Sequence, residues 1–153
     1  MVVARQKSGF TVIELIVAVT ILGILTTVAL PNFVQFMRNQ RVKTASFDVF
    51  STLVLARSEA VTRNTTVTVT PQSGTNDWTA GWRVNIGAET VRSQEAVPNI
   101  AMTGPTAVTY NGSGRLTAAL ASGIQISAAG SGDHVRCITV DPSGRPLTKA
   151  ASC

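Results

Sequence analysis

The segment at residues 10–30 reads FTVIELIVAVTILGILTTVAL and contains one charged side chain, that of Glu14. About 20 apolar residues are enough for an α-helix to cross the hydrocarbon core of a bilayer. An ordinary secretory signal has a shorter apolar region, of about 7 to 15 residues, followed by a cleavage site of small residues. We therefore predict that residues 10–30 form a transmembrane helix.

Two basic residues, Arg5 and Lys7, precede this segment. Because basic flanks of a membrane helix stay in the cytoplasm, we expect a single-pass membrane protein whose C-terminal domain lies outside the cytoplasm. Loss of a leader that carries Arg5 and Lys7 removes two positive charges and lowers the net charge from +5 to +3. Such a mildly basic protein permits weak contact with nucleic acid or anionic lipid but requires neither.

Fifteen residues separate the two cysteines, Cys137 and Cys153. We predict that they form a disulfide, which would stabilise the fold by roughly 3 kcal/mol and hold the chain end in place. Two free thiols are the alternative. A disulfide persists outside the reducing cytoplasm, so this prediction agrees with the predicted orientation. Charged residues make up 14% of the chain, against about 25% in typical soluble domains, which also favours an exported protein.

Glu14 is the unusual residue of the apolar segment. A carboxylate in a membrane helix costs several kcal/mol by insertion scales and therefore usually has a partner. No basic residue occurs between Gly9 and Arg38, so the segment offers no cation of its own. A cation would become available if the chain were cut before Phe10, because the cut would create a new α-amino group.

The stretch from Lys7 to Leu15, KSGFTVIEL, resembles the class III leader and cleavage site of type IV prepilins and type II secretion pseudopilins. The resemblance implies that residues 1–9 are a leader removed by a prepilin peptidase. It implies cleavage between Gly9 and Phe10, N-methylation of Phe10, and pairing of Glu14 with the amine of a neighbouring subunit. It also implies that the protein leaves the inner membrane for a filament at the cell surface.

A second helical segment, residues 31–64, is predicted to continue into the globular domain. Pro31 lacks a backbone donor and crowds the preceding turn, so we expect a kink or partial melting there that helps subunits to stack. We expect the helix to end near Asn64, which tolerates left-handed geometry. Three groups of residues define its faces: a core face (Val42, Ala45, Val49, Leu53, Ala56, Ala60), residues that widen it (Phe47, Phe50, Val54, Val61) and an opposite polar face (Asp48, Thr52, Glu59, Arg63).

Two further motifs narrow the resemblance. Residues 55–60 read LARSEA, and residues 78–82 read WTAGW. Both are similar to elements of the GspH/FimT family of minor pilins and pseudopilins, which includes FimU-like proteins. The resemblance covers about the first 86 residues well and the remainder weakly.

Residues 65–153 carry strand and turn signals and are predicted to form a β-rich domain. The expected fold is α+β and pilin-like, with the second half of the long helix packed on antiparallel sheet. We expect turns at residues 111–114 and 141–144 and a mobile loop around one strand at residues 118–132, and we identify no internal repeat. The predicted strands are residues 65–70, 82–86, 91–96, 107–110, 115–117, 123–127 and 135–140.

The sequence contains no recognisable catalytic, metal or cofactor site. The single histidine, His134, follows Asp133 directly, and adjacent residues rarely serve together as acid and base, so we interpret it as a surface residue. The glycines at residues 130–132 lack the strand-to-helix setting of a phosphate loop. Trp78 and Trp82 are interpreted as core residues rather than as a binding platform. We therefore predict that the protein is not an enzyme.

Some FimT-type relatives bind DNA through a basic C-terminal motif near a Gly-Arg pair. By this resemblance the candidate residues here are Arg145, Lys149 and Arg136, with Arg115 as a further cation, although Leu147 stands where a second arginine is wanted. Phosphate contacts of this kind give weak, salt-dependent binding without sequence preference. The alternative is a solvated hairpin tip closed by the disulfide.

These features favour a minor pilin that primes assembly of a type IV pilus and is incorporated at or near its tip. The expected partners are other minor and major pilins, the prepilin peptidase and the inner membrane. Two alternatives remain: a GspH-type minor pseudopilin of a type II secretion system, and a DNA-binding pilin that acts in DNA uptake.

Overall fold

The computed structural model describes residues 9–130 and 134–153, without the side chains of Val28, Ala29 and Pro31. Residues 1–8 of the predicted leader therefore lie outside the described residues. The chain divides into two compact units, Met1–Met37 and Arg38–Cys153. Helix α1 (Val12–Arg63) begins in the first unit and ends in the second.

In the first unit, Phe10 is 83% exposed, and large apolar side chains at the start of α1 are exposed as well, with Ile13 67% exposed. No single helix of the described residues has the length and apolar character of a membrane span. The parts of α1 at Val12–Thr27 and Asn32–Arg63 have both only when they are considered together. The membrane span at residues 10–30 and the kink at Pro31 stay predictions.

In the second unit, the core face of α1 is confirmed, because all six of its residues are fully buried. The widening of that face is confirmed only for Phe50, which packs against the core. It is wrong for Phe47, Val54 and Val61, whose side chains are 68%, 45% and 53% exposed. These three recur every seven residues and lie along one line of the helix, beside the core face rather than within it.

Thr52 does not belong to a solvent-facing side of α1, as the sequence analysis predicts, because it is 1% exposed. Its hydroxyl oxygen accepts a hydrogen bond of 3.1 Å from the Trp82 indole Nε1–H. A buried hydroxyl is tolerated when it has such a partner. The helical period places Thr52 correctly beside the core face, and only the polarity of its side chain suggests exposure.

The end of α1 is a Schellman motif. Asn64 has a positive φ of 46°. The Thr65 N–H donates to the Ala60 carbonyl oxygen at 3.2 Å, and the Asn64 N–H donates to the Val61 carbonyl oxygen at 3.3 Å. These are the two hydrogen bonds by which this motif satisfies the last carbonyls of a helix.

In the described part of the chain after α1, eight strands form two antiparallel sheets, one in the order β3-β2-β1-β5 and one in the order β4-β6-β7-β8. The α+β, pilin-like fold class is confirmed. Both sheets contribute to one core with α1. The strands are β1 (Val67–Pro71), β2 (Trp82–Ile86), β3 (Glu89–Gln94), β4 (Ile100–Thr103), β5 (Val108–Tyr110), β6 (Ile124–Ala128), β7 (Arg136–Val140) and β8 (Pro146–Lys149).

Two of these strands, β4 and β8, are not predicted from the sequence, and a predicted strand at residues 115–117 is wrong. Of that segment only Leu116 forms an isolated bridge, with Tyr110. Strand β4 begins directly after Asn99, which has a positive φ of 61°. Strand β8 begins with Pro146, and a proline argues against a strand when the sequence is considered alone. A proline is nevertheless tolerated at the edge of a sheet, which is where β8 lies.

Trp78 and Trp82 are core residues, as predicted, with side chains 0% and 1% exposed. Their ring centroids are 6.2 Å apart, and the Trp78 Nε1–H donates to the Pro105 carbonyl oxygen at 2.9 Å. Gly81 lies between them with a φ of 97°, and a Cβ there would overlap the Gln94 carbonyl oxygen. The glycine of the WTAGW motif therefore lets β3 approach the start of β2.

We expect Gly81→Ala to lower the free energy of unfolding by at least about 2 kcal/mol, because the new methyl group adds a backbone overlap to the positive φ. Gly87→Ala is the matched control, since Gly87 has a φ of 57° but open space around it, and it should cost about 1 kcal/mol. Urea unfolding of the full chain in detergent, followed by tryptophan fluorescence, measures both. Equal losses for the two variants would contradict this account of Gly81.

Candidate assembly site and interface turns

Helix α1 begins with a reciprocal cap formed by Thr11 and Glu14. The Thr11 backbone N–H and hydroxyl each donate to Glu14 Oε2 at 2.9 Å. The Glu14 N–H donates back to Thr11 Oγ1 at 3.3 Å. This is a capping box, in which the first and fourth residues satisfy each other's backbone donors.

The sequence analysis does not identify Thr11 as a functional residue, although the Thr-x-x-Glu spacing of residues 11–14 is a recognisable signal. The cap satisfies hydrogen bonds of the carboxylate without neutralising its charge, because Thr11 is neutral. Glu14 forms no ion pair with any residue that the structure describes, and no hydrogen bond to its Oε1 oxygen occurs there. Oε2 of Glu14 is therefore held by the cap, and Oε1 is available to accept a hydrogen bond from another group.

Glu14 lies in an apolar groove of about 350 Å³ along one face of α1. Its side chain is the only polar one in the lining, and Phe10 stands at the N-terminal end. The apolar members recur at three- and four-residue steps, so they share a face of the helix. They are Phe10, Ile13, Val17, Ala18 and Ile21. The structure thus brings together Phe10 and Glu14, whereas the side chain of Pro31 lies outside its described part.

The predicted disulfide between Cys137 and Cys153 is confirmed, with 5.1 Å between the Cα atoms. Gly123 packs directly against it, because a Cβ on this residue would lie 2.8 Å from both sulfur atoms. The Cys153 N–H also donates to Gln125 Oε1 at 3.3 Å. The segment after β8 is thereby held against the start of β6.

Two turns of the second unit have the same construction. Residues 111–115 read NGSGR and residues 141–145 read DPSGR, so the two turns share the ending Ser-Gly-Arg. In each turn the first residue's N–H donates to the arginine carbonyl oxygen, at 2.9 and 3.0 Å. In each, the first side chain's Oδ1 accepts from the serine hydroxyl and from the arginine N–H.

Arg57 holds these two turns together. Its Nε–H donates to the Gly114 carbonyl oxygen at 3.0 Å, and its Nη2–H donates to the Ser143 carbonyl oxygen at 3.2 Å. Gly144 has a φ of 85°, and a Cβ on it would overlap the Gly114 carbonyl oxygen. We call this arrangement the turn clamp: Arg57 with the turns at residues 111–115 and 141–145. It gives a physical role to the arginine of LARSEA, because it joins the two sheets to α1.

Tyr110 lies beside the turn clamp with its side chain fully buried. Its hydroxyl has no hydrogen-bond partner within residues 9–130 and 134–153. Burial raises the pKa of Tyr110 above its usual value, and the positive charge of Arg57 partly opposes that rise. Hydrogen bonds from Ser143 and Arg145 lower the pKa of Asp141, so its carboxylate stays ionised as the acceptor that shapes its turn at neutral pH.

The candidate DNA-binding residues do not share one surface. Lys149 pairs with Cys137 in the β7–β8 ladder, so their side chains lie on the same face, and Arg136, one residue before Cys137, lies on the opposite face. Arg145 is in the turn, with its Nε 4.0 Å from Asp141 Oδ2. DNA binding stays a prediction, and this separation argues against a single site formed by all three.

No residues that the structure describes form a group of three or more histidine, cysteine or acidic side chains able to hold a metal ion. His134 is exposed and has a positive φ of 60°. A positive φ places it in a tight turn, which is consistent with the interpretation of a surface residue.

Two family models match the chain. One, described as type II transport protein GspH, matches residues 45–144. The other, described as prokaryotic N-terminal methylation motif, matches residues 4–30. A search of curated proteins finds no match.

Among solved structures, the chain is similar to two crystal forms of the type IV minor pilin FimU from Pseudomonas aeruginosa strain PAO1. The first has a TM-score of 0.65 at 18% identity and covers 74% of this chain and 92% of that one. The second has a TM-score of 0.62 at 19% identity and covers 70% and 91%. At this level of identity the likeness concerns the fold.

We expect Arg57→Ala to lower the free energy of unfolding by about 1.5 to 3 kcal/mol, because two carbonyl oxygens lose a charged donor. Arg63→Ala is the matched control on the same helix. Its two exposed ion pairs, with Glu59 at 2.8 Å and with Glu89 at 3.4 Å, should together contribute no more than about 1 kcal/mol. Urea unfolding of the full chain measures both variants, and a smaller loss for Arg57→Ala than for Arg63→Ala would contradict the turn clamp.

Proposed function

Because the chain belongs to the GspH family of type II transport proteins and is a GspH/FimT-like minor pilin, we propose that it primes assembly of a type IV pilus and is incorporated at or near the pilus tip. Its role is structural, since pilins act by packing with other pilins. The expected partners are the major and minor pilins of the same filament. On this proposal the protein catalyses no reaction.

The observation that carries the proposal is the capped, half-satisfied carboxylate of Glu14 in an apolar groove. In an apolar environment an unpaired charge is costly, and a cation that approaches it gains correspondingly more. We propose that the amine created at Phe10 by cleavage after Gly9 docks at Oε1 of Glu14 in a neighbouring subunit. The groove residues then pack against the helix of that neighbour.

The proposal includes processing and location. The match to the N-terminal methylation motif supports an N-terminal helix that anchors the protein in a membrane before assembly. We propose that the prepilin peptidase removes residues 1–9, that Phe10 is N-methylated, and that the domain lies in the periplasm. The Cys137–Cys153 disulfide supports that side of the membrane, because the periplasm is oxidising.

A second candidate function is that of a minor pseudopilin in a type II secretion system. It is favoured by the family model that covers residues 45–144, whose description refers to type II transport. The two candidates share the fold and the proposed Glu14 mechanism. Co-purification of the processed protein from membranes would separate them, because the neighbours recovered would be either pilins or secretion components.

The Glu14 mechanism is tested with two variants that separate charge from capping. Glu14→Gln keeps an acceptor for the Thr11 N–H but has no charge, so we expect it to lose incorporation into filaments. Thr11→Val removes the hydroxyl of the cap but keeps the carboxylate, so it should retain incorporation. Immunoblotting of sheared filaments against the membrane fraction measures both variants.

Mass spectrometry of the membrane fraction provides the control for processing. Wild type and both variants should lack residues 1–9 and carry one methyl group on Phe10. Normal filament incorporation of correctly processed Glu14→Gln would refute the docking mechanism. Recovery of an intact N-terminus from cells with active peptidase would refute the processing.

A further inference from the structure

A groove of about 600 Å³ runs between α1 and the outer edge of β8, within the second unit. Its helix wall includes Lys43, Phe47 and Phe50, which share one face of α1. Its sheet wall includes Leu147 and Thr148. Successive residues of a strand point to opposite faces of the sheet. Because the groove is lined by both Leu147 and Thr148, it runs along the edge of β8 rather than over one face of the sheet.

Strand β8 is the last strand of its sheet and, among the residues that the structure describes, pairs with β7 alone. Asp141 donates its N–H to the Arg145 carbonyl oxygen, so these two residues form a hydrogen-bonded pair at the start of the β7–β8 ladder. Hydrogen-bonded and non-hydrogen-bonded pairs alternate from that point, so Pro146 and Thr148 belong to non-hydrogen-bonded pairs. The N–H and carbonyl of Thr148 therefore point away from β7, along the groove.

The groove has a strongly one-sided charge. Its two charged lining residues, Lys43 and Arg136, are both cations. Neither side chain has an ion pair or a hydrogen bond with another residue of the described chain. Phe47, at 68% exposed, and Leu147, at 41% exposed, add apolar surface beside these charges.

We propose that this groove binds an extended acidic segment of a partner polypeptide, which adds to β8 as a further strand. The partner's backbone pairs with the Thr148 N–H and carbonyl, its acidic side chains meet Lys43 and Arg136, and its apolar side chains cover Phe47 and Leu147. Strand addition of this kind gives affinity through the main chain and specificity through alternate side chains. The inference goes beyond the proposed function because it names the chemistry of a partner.

The strand edge favours a polypeptide over other anionic partners. Lipid headgroups and nucleic acid supply phosphates for Lys43 and Arg136, but they have no peptide backbone that could pair with the N–H and carbonyl of Thr148. Apolar wall residues also suit valine- or leucine-like side chains better than a phosphate backbone.

The test uses the oxidised full chain in detergent and a short, end-blocked, fluorescent peptide of alternating valine and glutamate. Fluorescence anisotropy should give saturable binding below about 1 mM. A peptide of alternating valine and lysine should bind at least about tenfold more weakly. Absence of saturable binding by the acidic peptide, or equal affinity for the two peptides, overturns the proposal.

Three variants locate the binding. Lys43→Glu and Arg136→Glu should each weaken binding of the acidic peptide at least about tenfold. Lys149→Glu is the matched control, because it makes the same charge change on β8 at the face opposite Arg136, and it should alter affinity by no more than about twofold. An equal loss in Lys149→Glu would assign the effect to overall charge and overturn the proposal.

Thr148→Pro tests strand addition. It removes an N–H that points away from β7, so the ladder should survive, as judged by an unchanged melting temperature, while binding of the acidic peptide is lost. Wild-type affinity in folded Thr148→Pro overturns strand addition. Vesicles of anionic lipid and duplex DNA form two further arms, and stronger binding of either one, lost in Lys43→Glu but kept in Thr148→Pro, assigns the groove to that partner instead. None of these outcomes bears on the Glu14 test.

Discussion

The fold depends on one face of α1 that packs against both sheets. The residues of that face in α1 are either small or branched and are all fully buried. Small residues such as Ala45 and Ala56 let both sheets lie close to α1. A larger side chain at these positions would have no free space, because the core between the helix and the sheets is closely packed. The sheets themselves are joined by few backbone bonds, such as the isolated Asp77–Thr103 bridge. Arg57 then fixes the geometry from the same helix through the carbonyl oxygens of both turns.

A single helix thus carries two different kinds of chemistry along its length. In the second unit its buried face completes a core, and its polar groups are satisfied internally, as with Thr52 and Trp82. In the first unit its apolar side chains are exposed, and the hydrogen bonds to Glu14 that the described residues supply come from its own cap. So large an exposed apolar surface in the described part of the chain suits a protein that assembles with others.

Sequence reasoning predicts the features that depend on local pattern. The core face of α1, the strand at Trp82–Ile86, the burial of both tryptophans and the disulfide follow from periodicity, propensity and cysteine spacing. The Glu14 cap also has a local signal, Thr-x-x-Glu, and could have been identified. The turn clamp could not have been predicted, because Arg57 and Ser143 are 86 positions apart in sequence and no local pattern indicates their contact. The exposure of Phe47 likewise depends on how far the sheets extend around the helix, which apolarity alone does not determine.

Pro146 has a consequence for how β8 can associate. It belongs to a non-hydrogen-bonded pair with Val140, so the N–H that it lacks is one that would have faced outward. The exposed edge therefore offers a single main-chain donor, at Thr148, and an incoming strand can form only a brief ladder. Open edges with a full row of donors invite indiscriminate stacking into amyloid-like aggregates. One proline thus limits how many hydrogen bonds another strand can form at this edge, which lowers the tendency of copies of the chain to aggregate through it.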